Sequence, residues 1–189
     1  QVSDATMNDA TYNTAVGNTA MSSLTDGDSN VAIGSAALNG LTDGDDNVAV
    51  GTNSGGALTT GHRNILIGKQ SGDAMTDEDD VVLIGHNAGI ALTHTNSNGT
   101  VAIGSGALAV LESGRGNIAI GYQALDAEDD GDYNTAIGHQ ALTAQTGVSG
   151  TVGNTAVGYQ AGDAITTGQR NTIMGAFALA NSTDCDSVV

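Results

Sequence analysis

The side chains best able to do chemistry in this chain are its 21 Asp and Glu residues. They gather in short clusters: Asp26-Gly27-Asp28, Asp43-Gly44-Asp45-Asp46, Asp77-Glu78-Asp79-Asp80 and Asp129-Asp130-Gly131-Asp132. Crowded carboxylates repel one another, and Ca²⁺ relieves that repulsion because it takes several carboxylate and carbonyl oxygens. Asp26, Asp28, Asp43, Asp45, Asp77, Asp79, Asp130 and Asp132 are the candidate ligands. None of these clusters fits an EF-hand loop or the Gly-Gly-x-Gly-x-Asp nonapeptide. Solvated acidic turns without a cofactor are therefore the plain reading, and bound calcium is the alternative.

Other reactive groups are sparse. His62, His86, His94 and His139 are scattered, and Cys185 is the single cysteine. There is no nucleophile–base pairing, phosphate loop or Cys/His zinc spacing, so the chain is not expected to be an enzyme. Only Arg63, Lys69, Arg115 and Arg170 are basic, and the net charge is −17. Nucleic acid, which needs clustered Lys and Arg, and anionic membrane surfaces are poor partners. No apolar run approaches the ~20 residues of a membrane span, and no signal peptide is visible.

These residues sit on a repeat. The phrase Asn-x-Ala-(Ile/Val)-Gly occurs at 30–34, 117–121 and 154–158. Its glycine recurs as Gly17, Gly34, Gly51, Gly68, Gly85, Gly104, Gly121, Gly138, Gly158 and Gly175, mostly 17 residues apart. A fixed period means a repeat architecture. With the Asn as slot 1 and the Gly as slot 5, ten units run 13–29, 30–46, 47–63, 64–80, 81–99, 100–116, 117–133, 134–153, 154–170 and 171–187. Residues 1–12 fit the end of an earlier unit and 188–189 open an eleventh, as in a piece of a longer array. Two units are longer, through extra residues around His94–Gly99 and Thr146–Gly150, in the turn after slot 13.

Slot 2 is always β-branched and slot 4 is Val or Ile in nine of ten units, which favours a short strand. The glycine ends it where a Cβ would obstruct. Slot 13 is Thr in eight of ten units and predicts a second extended segment. The glycines and the lack of an apolar stripe exclude helices. The chain has 28 glycines, no proline or tryptophan and one phenylalanine, too little bulk for an ordinary core. The expected fold is all-β: a parallel β-solenoid of about ten 17-residue coils, spanning roughly 45–50 Å at ~4.8 Å per coil.

Strand alternation puts slots 2 and 4 on one side and slot 3 on the other. Both sides are apolar. The slot 3 column, Ala15, Ala32, Ala49, Leu66, Leu83, Ala102, Ala119, Ala136, Ala156 and Ile173, is assigned to the outside as an interface. So thin a coil leaves little room for its own core, and three coils about one axis would bury both sides. The slot 1 column, Asn13, Asn30, Asn47, Asn64, Asn117, Asn134, Asn154 and Asn171, reads as a structural hydrogen-bond ladder rather than a ligand site. The Thr column reads as a β-propensity ladder rather than an ice-binding face. Slots 6 and 7 are mostly polar and should face water. Tyr122, Tyr159 and Phe177 there are candidates for contact with a sugar or a surface.

The Asn-x-Ala-Ile-Gly phrases resemble the head repeats of trimeric autotransporter adhesins. The string Asn154 through Gly162 is similar to repeats in fibre-like proteins of phages and aquatic microbes. The resemblance covers nearly the whole chain. It implies a left-handed β-roll wound side by side as a homotrimer. It also implies a structural and adhesive role, in an extracellular fibre, at a cell surface or in a virion fibre, with a surface glycan or protein receptor as partner. A phage tail fibre or tailspike, and a solitary ice- or calcium-binding solenoid, are the alternatives.

Overall fold

The computed structural model describes residues 10–93, 97–146 and 149–188. Most of the expected partial coil over 1–12, the inserted residues His94, Thr95, Asn96, Gly147 and Val148, and Val189 lie outside them.

The fold is a parallel β-solenoid. Its strands are β1 (Thr14–Val16), β2 (Val31–Ile33), β3 (Val48–Val50), β4 (Ile65–Ile67), β5 (Val82–Ile84), β6 (Val101–Ile103), β7 (Ile118–Ile120), β8 (Gly131–Asp132), β9 (Thr135–Ile137), β10 (Gly150–Thr151), β11 (Thr155–Val157) and β12 (Thr172–Met174). Ten of them stack as one sheet in chain order, one per coil, while β8 and β10 form a separate pair. Every slot lies over its own kind: Ala15 pairs with Ala32, Ala32 with Ala49 and Ala49 with Leu66. At about 4.8 Å per step the ten strands span about 43 Å. Among the described residues no helix is long and apolar enough to cross a membrane.

Each coil turns by alternating backbone handedness. The slot 5 glycines have φ between +118° and +144°, a region essentially closed to side chains. Slots 7, 9 and 17 are also left-handed, even where the residue is Leu38, Leu108, Leu125 or Gln123. The second extended segment expected at slot 13 does not form among the described residues. The Thr column bends instead, although it still links the coils: Thr25 N–H donates to Thr42 O at 2.9 Å and Thr59 N–H to Thr76 O at 2.8 Å.

The inside and outside of the strand are the reverse of expectation. Ala32, Ala49, Leu66, Leu83, Ala102, Ala119, Ala136, Ala156 and Ile173 are all buried, and Ala15 is partly buried against the same core. The slot 3 column is therefore not the outer interface. It lines the core with slot 8 (Ala37, Ser54, Ala88), slot 9 (Leu38, Leu108, Leu125) and slot 12 (Leu41, Leu58, Leu92). The cause is volume. A narrow coil accepts Ala at slot 3 because Leu from slots 9 and 12 fills the space opposite. Where slot 9 loses its side chain, slot 3 supplies it: a Cβ on Gly55 would meet Leu66 Cδ1 at 2.6 Å, and one on Gly162 would meet Ile173 Cδ1 at 2.9 Å. Close packing of this kind forbids either column from growing alone. One chain thus closes its own core, and the thinness of the coil no longer calls for three.

Slots 2 and 4 face outward instead. Of these twenty positions fifteen are Val or Ile, four are Thr, one is Met174 and none is charged. Val16, Ile33, Ile65, Ile67, Ile137 and Met174 are well exposed.

Candidate functional site

Two features of the surface have the geometry of sites: a ridge of rings and amides at slots 6 and 7, and the acidic corner at slots 12 to 17. Between them and the core run the ladders that hold both in register.

The Asn ladder is buried and continuous along most of the rod. Asn47 N–H donates to Asn30 Oδ1 at 2.9 Å, and Asn47 Nδ2 donates to Asn30 Oδ1 at 3.1 Å and to Gly61 O at 2.8 Å. Asn64 repeats the pattern on Asn47 Oδ1 and Glu78 O. Asn47 and Asn64 thus tie their coils to the ones before them and also close their own coils fourteen residues on. Slot 1 departs from Asn at Val81 and Thr100, and Val81 opens the lengthened 81–99 coil. The other lengthened coil keeps Asn134, whose Nδ2 has no partner among the described residues.

Sequence reading missed a second ladder, at slot 16. Thr11 N–H donates to Asp28 Oδ1, Asp28 N–H to Asp45 Oδ1, Asp45 N–H to His62 Nδ1, His62 N–H to Asp79 Oδ1 and Asp79 N–H to Asn98 Oδ1, at 2.6 to 3.0 Å. Arg115 N–H on Asp132 and Gln169 N–H on Asp186 continue it at 2.8 and 2.7 Å. The legible signal was a slot that carries a short acceptor side chain in coil after coil. Four of the candidate calcium ligands, Asp28, Asp45, Asp79 and Asp132, each spend an oxygen on this ladder. The backbone and side-chain hydrogen bonds from Thr11 also hold the Asp28 carboxyl below its usual range. Asp26 is exposed, and the exposed Asp43 and Asp77 accept from Thr25 and Thr76 hydroxyls. Asp80 is chelated by Arg63, with Nε–Oδ1 at 2.6 Å and Nη2–Oδ2 at 2.9 Å, which lowers its carboxyl and raises the guanidinium.

Only one group of three carboxylates converges among the described residues: Glu128, Asp129 and Asp130, each with an oxygen within 4.8 Å of the others. Of the eight candidates it contains Asp130 alone. Glu128 and Glu78 are buried, and desolvation raises both carboxyls above the usual range. Such a group binds its proton more tightly folded than unfolded. Its stabilising contribution is present at low pH and is lost as pH rises through the folded pKa.

The three aromatic candidates are exposed, at 48% for Tyr122, 46% for Tyr159 and 60% for Phe177. His139 completes a run along the axis that the sequence did not single out. Tyr122 and His139 stack with centroids 5.0 Å apart, His139 and Tyr159 at 5.3 Å, and Phe177 meets Tyr159 edge-on at 5.1 Å. Alongside, Gln140 Nε2 donates to Gln123 Oε1 and Gln160 Nε2 to Gln140 Oε1, both at 3.2 Å. The stacked faces cover one another. The exposed remainder of the ridge combines two phenols, an imidazole, a phenyl ring and a line of amides.

No protein-family model, curated protein or solved structure matches the chain.

Proposed function

We propose that this chain is a structural and adhesive segment, a stiff rod that packs against copies of itself and presents slots 6 and 7 to a surface outside the cell. The observation that carries this reading is the outer face of the sheet. Its Val and Ile columns run unbroken by charge over ten strands. About 43 Å by about 10 Å gives a largely apolar face of roughly 400 Å², comparable to the largest apolar patch of an ordinary monomer, which is often functional. A second copy suits it because only a partner with the same rung spacing meets every row. The acidic corner lies on other slots, so the charge of −17 does not oppose the contact directly. One such face per chain suits a face-to-face pair. The homotrimer implied by the adhesin-like repeats needs a second patch.

Light scattering behind a sizing column tests this. The wild type is expected at a multiple of the chain mass, with two or three chains read directly. Ile67→Lys combined with Ile120→Lys is expected to give the single-chain mass with an unchanged circular dichroism spectrum. A wild type that runs as one chain at micromolar concentration overturns the reading.

The ring and amide ridge favours contact with a hydroxyl-rich polymer lying along the rod, each weak contact repeated at the rung spacing and summed by avidity. Tyr159→Ala removes two of the three ring contacts. On a glycan array its signal is expected to fall about tenfold or more, since lost contacts multiply in a multivalent site. Equal binding by variant and wild type would remove the ridge from the proposal.

A further inference from the structure

We propose that Glu128, Asp129 and Asp130 form a calcium site at the corner of the 117–133 coil. Slot 12 is apolar elsewhere along the rod, as Leu24, Leu41, Leu58, Met75, Leu92, Leu111 and Ile165, apart from Gln145 and Ser182. Glu128 occupies it with 0% exposure. Its Oε1 accepts the Gly131 N–H at 2.8 Å. Its Oε2 is buried without a partner. An ionised carboxylate leaves that oxygen as an unpaired charge in the core, and a protonated one leaves an O–H with no acceptor. Both are costly, and a cation resolves both.

The spacing fits the ion. Oxygens that share one Ca²⁺ at 2.3–2.6 Å lie no more than about 5 Å apart, and one oxygen from each of the three residues lies within 4.8 Å of the others. Sequence neighbours of equal acidity do not converge. In Asp77-Glu78-Asp79-Asp80, Glu78 also buries an unpartnered oxygen, Oε1, but its Oε2 accepts from Thr76 and Asp77 N–H, Asp79 serves the slot 16 ladder and Asp80 is held by Arg63, so no second and third carboxylate join it. Arg115 pairs with Asp132 at 3.5 Å. Beside Asp130 opens a polar pocket of about 150 Å³, lined also by Ser113, Arg115, Asp132, Ser149 and Gly150. It has room for the waters that complete a Ca²⁺ shell. Burial raises the Glu128 carboxyl and Asp129 and Asp130 add to the rise; a bound cation opposes both effects. The site is independent of self-association and of the ring ridge.

The test is thermal melting of the chain in chelator and in calcium, with magnesium and sodium at matched ionic strength. At about 100 times the dissociation constant, calcium is expected to raise Tm by about 5–10 °C. Glu128→Gln and Asp130→Asn are each expected to cut that rise by about half or more, and Asp43→Asn to keep it. Since Glu128→Gln alters a buried residue, terbium luminescence gives a second readout on protein shown folded by circular dichroism. One equivalent should bind the wild type, be displaced by calcium, and bind Asp130→Asn about tenfold or more weakly. No calcium-specific rise overturns the site. So does a rise of equal size in Asp130→Asn, which would assign the effect to screening of the whole acidic surface.

Discussion

Gly121→Ala is expected to destabilise the rod by about 4 kcal/mol or more. Gly121 has φ +143°, and holding a side chain there costs about 1–3 kcal/mol in backbone strain alone. The added Cβ would lie 2.2 Å from Gly138 O, 2.5 Å from Gly138 C and 3.0 Å from His139 N. Those are backbone atoms of the next coil, which no rotamer change can clear. Relief requires the coils to part, which breaks the Gly138 N–H to Ile120 O bond of 2.7 Å at about 1 kcal/mol. The same geometry recurs at Gly34, where the obstruction is Gly51 O at 2.4 Å. Gly153 is the control: its φ is +66° and nothing lies within 4 Å of a Cβ. Gly153→Asn, a residue that tolerates this conformation, is expected to cost under about 1 kcal/mol. Urea unfolding followed by circular dichroism compares the three proteins. A Gly121→Ala midpoint equal to the wild type would mean that the coils are not stacked at this spacing.

Asn47→Ala is expected to cost about 3–5 kcal/mol. It strands the Gly61 carbonyl and the Asn64 N–H, both of which the Asn47 amide now serves, and each buried orphan costs about 1–3 kcal/mol. It also removes the acceptor of Asn64 Nδ2. Asn47→Asp separates the two halves of the effect. It keeps an acceptor for Asn64 but turns a carboxylate toward Gly61 O, which raises its pKa. That variant should gain stability as pH falls, in the direction opposite to an Asp that accepts from N–H groups. Denaturant midpoints at two pH values measure both. A loss below about 1 kcal/mol for Asn47→Ala would show that water reaches the ladder.

Much of this molecule was legible from its letters. The 17-residue period, the three-residue strand, the glycine that ends it and the Asn ladder all follow from local chemistry repeated coil after coil. A column of identical residues reports its environment ten times over. The insertions after slot 13 mark the corner where the β8–β10 pair lies.

The slot 16 acceptors were in view but were read as loose carboxylates, because the N–H that each one serves belongs to a residue about seventeen positions earlier. The second expected strand failed for a different reason. The chain bends at Thr25, Thr42, Thr59 and Thr76, so the β-propensity of Thr does not by itself make an extended segment there.

By itself the sequence determined that this chain is a β-solenoid, how its coils are bounded and which side chains link one coil to the next. Only the tertiary structure decided which face of the strand lies inside, which acids converge and which rings touch. Alternation separates two faces of a strand but does not say which is buried when both are apolar. That choice depends on the volume left by Leu at slots 9 and 12, which lies across the coil and not along the chain. Likewise Asp77–Asp80 and Glu128–Asp130 look equally acidic in sequence. They differ because a carboxylate's direction is set by the hydrogen bonds it has already made, and those come from other coils.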